Sequence, residues 1–245
     1  MVAFAAGFID AIVGGGGLVQ TPASLVLLRS FPVATVIGSL KIPSFSGTYF
    51  AARQYLRKVN LKQSFVTLLC VVAFFASFAG SQLLTIVSNQ FMKPLLLVVL
   101  TAVAIYTYTK KDFGQQEVKS IPHRMEIKYG VLISFLLGFY DGFIGPGAGS
   151  FLILAFITLL GYDFLRASAQ AKLINLSTNL GSIILFTLKG KIIWMVALPM
   201  AVFNAFGGML GARLAITRGN KFIRKFFLFV VIITLMRYLW DVVRG

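Results

Sequence analysis

Long apolar runs alternate with short polar or basic turns down the chain, and two of the runs are broken from within by glycine. The first broken run spans residues 1–28. It is apolar up to Val13, reaches Gly14–Gly17, and continues from Leu18 to Leu28 with Gln20, Thr21 and Pro22 close to the break. After a turn at Arg29–Pro32, further runs cover about Val33–Ala52, Ser64–Val87 and Phe91–Tyr108. A basic loop with Arg53, Arg57, Lys58 and Lys62 separates the first two of these. Runs near twenty apolar residues match the length of a helix that crosses a bilayer. Lys110–Lys128 is a polar linker, and beyond it the pattern restarts with a second broken run.

The restart is in register. A shift of 131 positions superimposes Gly7 on Gly138, Asp10 on Asp141, Gly14 on Gly145, Gly16 on Gly147, Lys41 on Lys172, Ser46 on Ser177, and Gly80 on Gly211. A shared bias toward leucine and valine does not align Asp, Lys and Gly, so the chain is read as an internal repeat. The expected domains are a first repeat at 1–109, a polar cytoplasmic linker at 110–126 and a second repeat at 127–245. As one straight helix, residues 127–160 would be about 50 Å long, too long for a core of about 30 Å. Two half-helices that meet at the glycines and leave by the face they entered fit better. Each repeat then adds three full crossings and reverses orientation. The expectation is therefore an all-α polytopic membrane protein with two inverted repeats, each a re-entrant pair plus three transmembrane helices. Inversion also gathers the Arg53–Lys62, Lys110–Lys128 and Arg213–Lys225 segments on one side, as the positive-inside rule favours.

Composition sharpens this. The chain is 58% hydrophobic and only 12% charged, about half the charged share of a soluble domain. A net charge of +16 would point to nucleic acid in a soluble protein. Here the basic residues lie between apolar spans, so anionic lipid and membrane orientation explain them and no nucleic-acid partner is expected. One histidine, one cysteine and seven acids cannot build a metal centre, a disulfide framework or a catalytic triad. No enzyme activity, cofactor or metal is expected.

The candidate chemistry lies at the breaks. A lysine deep in an apolar span costs at least about 2.5–3.5 kcal/mol, and Lys41 and Lys172 recur at the same repeat position. Snorkelling toward the interface is the alternative use of such a side chain. Gly14, Gly15, Gly16 and Gly17, with Gly145 and Gly147, either let helices pack closely or expose amides to an anion at the positive end of a half-helix. Asp10 and Asp141, one turn before the breaks, carry coupling protons, neutralise the lysines, or cap the glycine turn. The rows Ser44, Ser46, Thr48 and Asn175, Ser177, Asn179, together with Gln20 and Gln170, supply further polar groups. Of these, Gln20, Ser46, Gln170, Asn175 and Ser177 are candidate substrate contacts.

Residues 7–24, GFIDAIVGGGGLVQTPAS, and 138–152, GFYDGFIGPGAGSFL, with the paired lysines, resemble the sulfite exporter TauE/SafE family of bacterial membrane permeases. The resemblance covers both repeats. The family's Gly-rich stretch followed by proline is met by Gly14–Gly17 and Pro22. The second copy departs from it, with Pro146 among the glycines and Ile153 where Pro22 would fall. The resemblance implies a multi-pass exporter of the cell (inner) membrane for sulfite or an organosulfonate such as sulfoacetate. The residues themselves imply only a small anion, and the favoured reading is a secondary transporter that moves it by alternating access. An anion channel, or a non-transporting scaffold or subunit of an enzyme complex, is the alternative.

Overall fold

The computed structural model describes residues 1–88, 90–91 and 121–244, and among these it contains helices and no strand. The elements are α1 (Val2–Val13), α2 (Gly16–Leu27), α3 (Val33–Leu56), α4 (Gln63–Ile86), α5 (His123–Phe143), α6 (Ala148–Leu160), α7 (Phe164–Leu188) and α8 (Trp194–Arg244), the last interrupted at Gly219. The apolar run expected at Phe91–Tyr108 and the greater part of the linker lie outside the described residues. Helix α5 opens at His123, inside the segment read as linker, with Pro122 in an extended conformation as its N-cap. Pro32 holds the same position before α3, and the Asp163 carboxylate caps α7 by accepting from Arg166 N at 2.9 Å.

The 131-position shift carries α3 onto α7 and α4 onto the first part of α8 almost residue for residue. Close contacts fix the helix directions. Along α3 and α8, Gly38 meets Lys191 and Gln54 meets Met209, so the two run parallel. Helix α1 runs with them, with Gly207 against Phe4 and Gly211 against Phe8. The equivalent set α4, α5 and α7 is also mutually parallel: Gly138 lies on Ala73, Gly142 on Ser77, and Ser177 donates to Cys70 O. Between the sets the direction reverses, since Gly38 of α3 lies beside Phe186 of α7, whereas Thr48 lies beside Asn175. Equivalent helices therefore run in opposite senses.

The two broken runs fold back as hairpins. Gly16 opens α2 against Ala6 and Asp10 of α1. At the far end of the second hairpin, Tyr162, just past α6, donates to Glu126 Oε1 in the first turn of α5 at 2.6 Å. The α5–α6 pair thus enters and leaves at the basic end of the bundle, where Arg53, Arg57, Lys58, Lys62, Arg213 and Arg218 also lie. The α1–α2 pair enters from the opposite end, beside Val33 and Trp194.

Small residues set these distances. A Cβ on Gly142 would lie 2.0 Å from Ser77 O, and one on Gly80 would lie 2.1 Å from Phe139 O. Such contacts bring backbones together without bulky side chains, as in other membrane bundles. Gln63–Ile86, Phe164–Leu188 and Trp194–Gly219 are long and apolar enough to cross a membrane. Phe75, Phe135, Phe203 and Phe206 point outward, where lipid rather than water is the suitable solvent.

Candidate functional site

Both breaks lie at the centre of the bundle, where they touch. Gly14 (φ 74°) ends α1 in the left-handed conformation, and its amide donates to Asp10 O at 2.7 Å. A Cβ here would lie 2.3 Å from Gly149 C, so glycine is required twice over. Ser150 seals the crossing: its amide donates to Gly14 O at 3.1 Å and its hydroxyl to Val13 O at 2.8 Å. Of the four glycines Gly14–Gly17, Gly14 and Gly15 alone stand outside regular helix. Gly16 and Gly17 already belong to the first turn of α2, and they are glycine because Ala6 and Pro146 press on them.

Each lysine reaches across to the other repeat. Lys41 Nζ of α3 donates to Asp141 Oδ1 of α5 at 2.9 Å and to Asp141 O. Lys172 Nζ of α7 donates to Asp10 Oδ2 of α1 at 2.7 Å and to Asp10 O. Both lysines are buried, at 4% and 1% exposure, so neither snorkels. Each also meets a main-chain carbonyl in the last turn of a half-helix, the negative end of its dipole. Proximity of opposite charge accounts for two buried ions that would otherwise be costly.

The remaining oxygens are held too. Asp141 Oδ2 accepts from Thr178 Oγ1 and from Asn175 Nδ2 at 3.4 Å. Asp10 accepts from Gly16 N at 3.4 Å, and Thr48 Oγ1 lies at the same distance from its Oδ2. Asp10 keeps partial exposure, with its side chain 18% accessible against 5% for Asp141. The two pairs are related by the repeat but are not equally dry.

Beside them is a cavity of about 40 Å³, room for a few waters at most. Asp10, Gly14, Gly17, Lys41, Ser44, Asp141, Gly145, Gly147, Asn175 and Asn179 line it. So do Thr21, Ile37, Leu40 and Ile144, whereas their repeat equivalents Leu152, Ser168, Ala171 and Val13 do not. The cavity leans away from the basic end. That end is filled by a larger apolar cluster that includes Tyr55, Phe65, Phe156 and Phe164; a smaller one around Ile37, Ile144 and Phe186 covers the other.

Other expected contacts fall elsewhere. Ser177 uses its hydroxyl on Cys70 O at 2.7 Å, and Ser46 borders a lateral apolar groove with Phe50 and Phe206. Gln20 accepts from Asn204 at 3.1 Å, Gln170 is buried, and neither lines the cavity; nor do Gly15, Gly16 and Lys172. The amides of Gly14, Gly145 and Ala148 hydrogen-bond within their own chain segments, so the breaks offer fewer free donors than a bare nest. Thr178 was not visible in the repeat, because its equivalent is Gly47; its only signal is the three-residue spacing from Asn175.

Paired broken hairpins, ions buried at mid-bundle and a lipid-facing exterior define a polytopic membrane transporter. The chain belongs to the sulfite exporter TauE/SafE family, whose profile matches residues 1–238. It is 38% identical over 237 residues to a probable membrane transporter protein of Haemophilus influenzae, covering 96% of this chain and 89% of that one. It is 32% identical to the probable membrane transporter protein YfcA of Escherichia coli K12, over 98% and 88% of the two chains. A probable membrane transporter protein, ORF9, of a Sinorhizobium species is 35% identical over 98% and 91%. No solved structure matches.

Proposed function

We propose that the protein moves a small oxyanion, sulfite or an organosulfonate, by alternating access coupled to protons on Asp10 and Asp141. The observation that carries this is the pair of crossed Lys–Asp bridges beside the cavity. An anion entering the dry centre needs positive charge, and helix dipoles supply only about half a unit each. Lys41 borders the cavity but is neutralised by Asp141. A proton on Asp141 removes the carboxylate charge and leaves the ammonium free to face an anion; loss of that proton restores the bridge and expels the anion. Asn175, Asn179 and Ser44 then offer hydrogen bonds to the anion's oxygens. Symmetry gives Lys172 and Asp10 the matching part at the other half-site.

The family description, sulfite exporter, supports the substrate class, and the buried lysines support its sign. The excess of Arg and Lys at the α3–α4 end supports placing that end in the cytoplasm. The test is uptake of [35S]sulfite by proteoliposomes under an imposed pH gradient. Saturable accumulation above equilibrium, lost when the gradient is collapsed, is expected. Flux that never saturates and cannot be driven uphill would instead describe a channel.

A further inference from the structure

The two ion pairs are joined by hydrogen bonds that cross from one repeat to the other. Thr48 Oγ1 lies 3.4 Å from Asp10 Oδ2 and 3.2 Å from Asn175 Oδ1. Asn175 Nδ2 in turn faces Asp141 Oδ2 at 3.4 Å, and Asn179 Nδ2 approaches Asn175 Oδ1 at 3.1 Å. Lys172 closes one end of the chain and Lys41 the other. Thr48 and Asn179 are buried, at 1% and 2% exposure.

A threonine hydroxyl has one proton, so Thr48 serves Asp10 or Asn175 but not both. While Asp141 is charged, it holds the Asn175 amide, which turns Asn175 Oδ1 toward Thr48. The hydroxyl proton then points at Asn175 and leaves Asp10 with one donor fewer. Once Asp141 takes a proton, its hold on the Asn175 amide weakens. Thr48 is released to donate to Asp10, and the charged form of Asp10 is favoured. We infer that Thr48 and Asn175 are positioning residues that make the two aspartates load protons in alternation, one at a time. This rests on the proton-coupled reading above and adds its regulation.

The charged and titratable groups near the carboxylates are Lys172 and Tyr55 beside Asp10, and Lys41 and Tyr140 beside Asp141. Both tyrosine hydroxyls donate to main-chain oxygens, of Ala11 at 3.0 Å and Pro146 at 2.6 Å, so neither replaces Thr48 in the chain.

Infrared titration of purified protein carrying 13C-labelled aspartate tests this without any transported substrate. The Asp10 band is the one lost in Asp10→Asn. Asp141→Asn imitates the neutral, protonated Asp141. In that variant Asp10 is expected to bind its proton at least threefold less tightly, about half a pH unit. Removing a nearby negative charge acts through space in the same direction, so the deciding comparison is the same pair of proteins carrying Thr48→Val. There the change should fall well below threefold, and Thr48→Ser should restore it. If Thr48→Val does not fold, Asn175→Ser cuts the same chain with the shorter residue that the first repeat has at Ser44. An equal change with and without the hydroxyl, or none in the parent, overturns the inference. Absence of sulfite flux would count against the transport reading alone, because the infrared comparison requires no anion.

Discussion

Lys41 and Asp141 belong to different repeats, a hundred residues apart, and meet as a buried ion pair at 2.9 Å. The counterpart, Lys172 with Asp10, crosses the other way. Each lysine is neutralised by the other half of the chain, so the two halves are tied together at the point where the substrate is expected.

The first test separates charge balance from function. Lys41→Met leaves Asp141 buried without its cation and should destabilise the protein by about 3–5 kcal/mol. Adding Asp141→Asn removes the stranded charge and should recover most of that loss. Transport should stay absent in the double variant, because the cation facing the cavity is gone. Thermal unfolding in detergent, run beside [35S]sulfite uptake, reads both outcomes.

Proton coupling is checked with the aspartates. Asp10→Asn or Asp141→Asn should abolish uphill accumulation driven by a pH gradient. Counterflow between equal anion pools needs no net proton movement and should survive. Loss of both activities in a folded variant would give the aspartates a structural role in holding the glycine turns.

Most of this was legible in the sequence, for definite reasons. The 131-residue register located both breaks, both lysines and both aspartates, since buried ions cannot be scattered at random in apolar helices. The exchange of partners between repeats was not legible, because spacing along one chain does not tell which lysine finds which carboxylate. Ser46 and Ser177 lie away from the cavity for a simpler reason. They stand two positions from Ser44 and Asn175, and on a helix that turns a side chain toward a different neighbour. Thr178 has no polar counterpart, so a search built on duplication passes over it.

Orientation has a direct check. Lys58 follows α3 and Arg218 precedes the Gly219 break in α8, and the parallel course of these helices brings both to one end. In a Cys70→Ala background, single cysteines at 58 and 218 should react with an impermeant thiol reagent from the same side of the membrane. A cysteine at Lys191 should react from the other.

The Glu126 cluster gives a pH dependence. Burial pushes the Glu126 carboxyl up, but the Tyr162 hydrogen bond, the His123 contact and the Arg166 charge outweigh it and hold the carboxyl below its ordinary value of 4.5. Arg166 also lies over the Tyr162 ring at 3.9 Å. A lowered carboxyl stabilises the fold fully above that ordinary value, and the contribution is lost as pH falls through the lowered one. Melting temperature should therefore fall on acidification below about pH 4.5, and less steeply in Glu126→Gln, which starts lower at pH 7.

Glycine substitutions distinguish contact from conformation. Gly14→Ala meets both a left-handed φ and the Gly149 backbone, and should cost 3 kcal/mol or more, at least about the upper end for overpacking. Gly190→Ala has φ 61° but open space around it, so about 1–2 kcal/mol is expected from backbone strain alone. Denaturant or thermal unfolding of the two variants side by side reads the difference.

The lopsided cavity carries a last consequence. Thr21, Ile37, Leu40 and Ile144 face it while Leu152, Ser168, Ala171 and Val13 are packed away, so two halves of one ancestral design hold different shapes at the same moment. On the alternating-access reading proposed above, trading those shapes between the halves gives a second arrangement, its cavity displaced toward the opposite end of the bundle, with every helix retained. Duplication would then have written both postures of the proposed cycle into one sequence, and the eight side chains just named are the places to watch for the exchange.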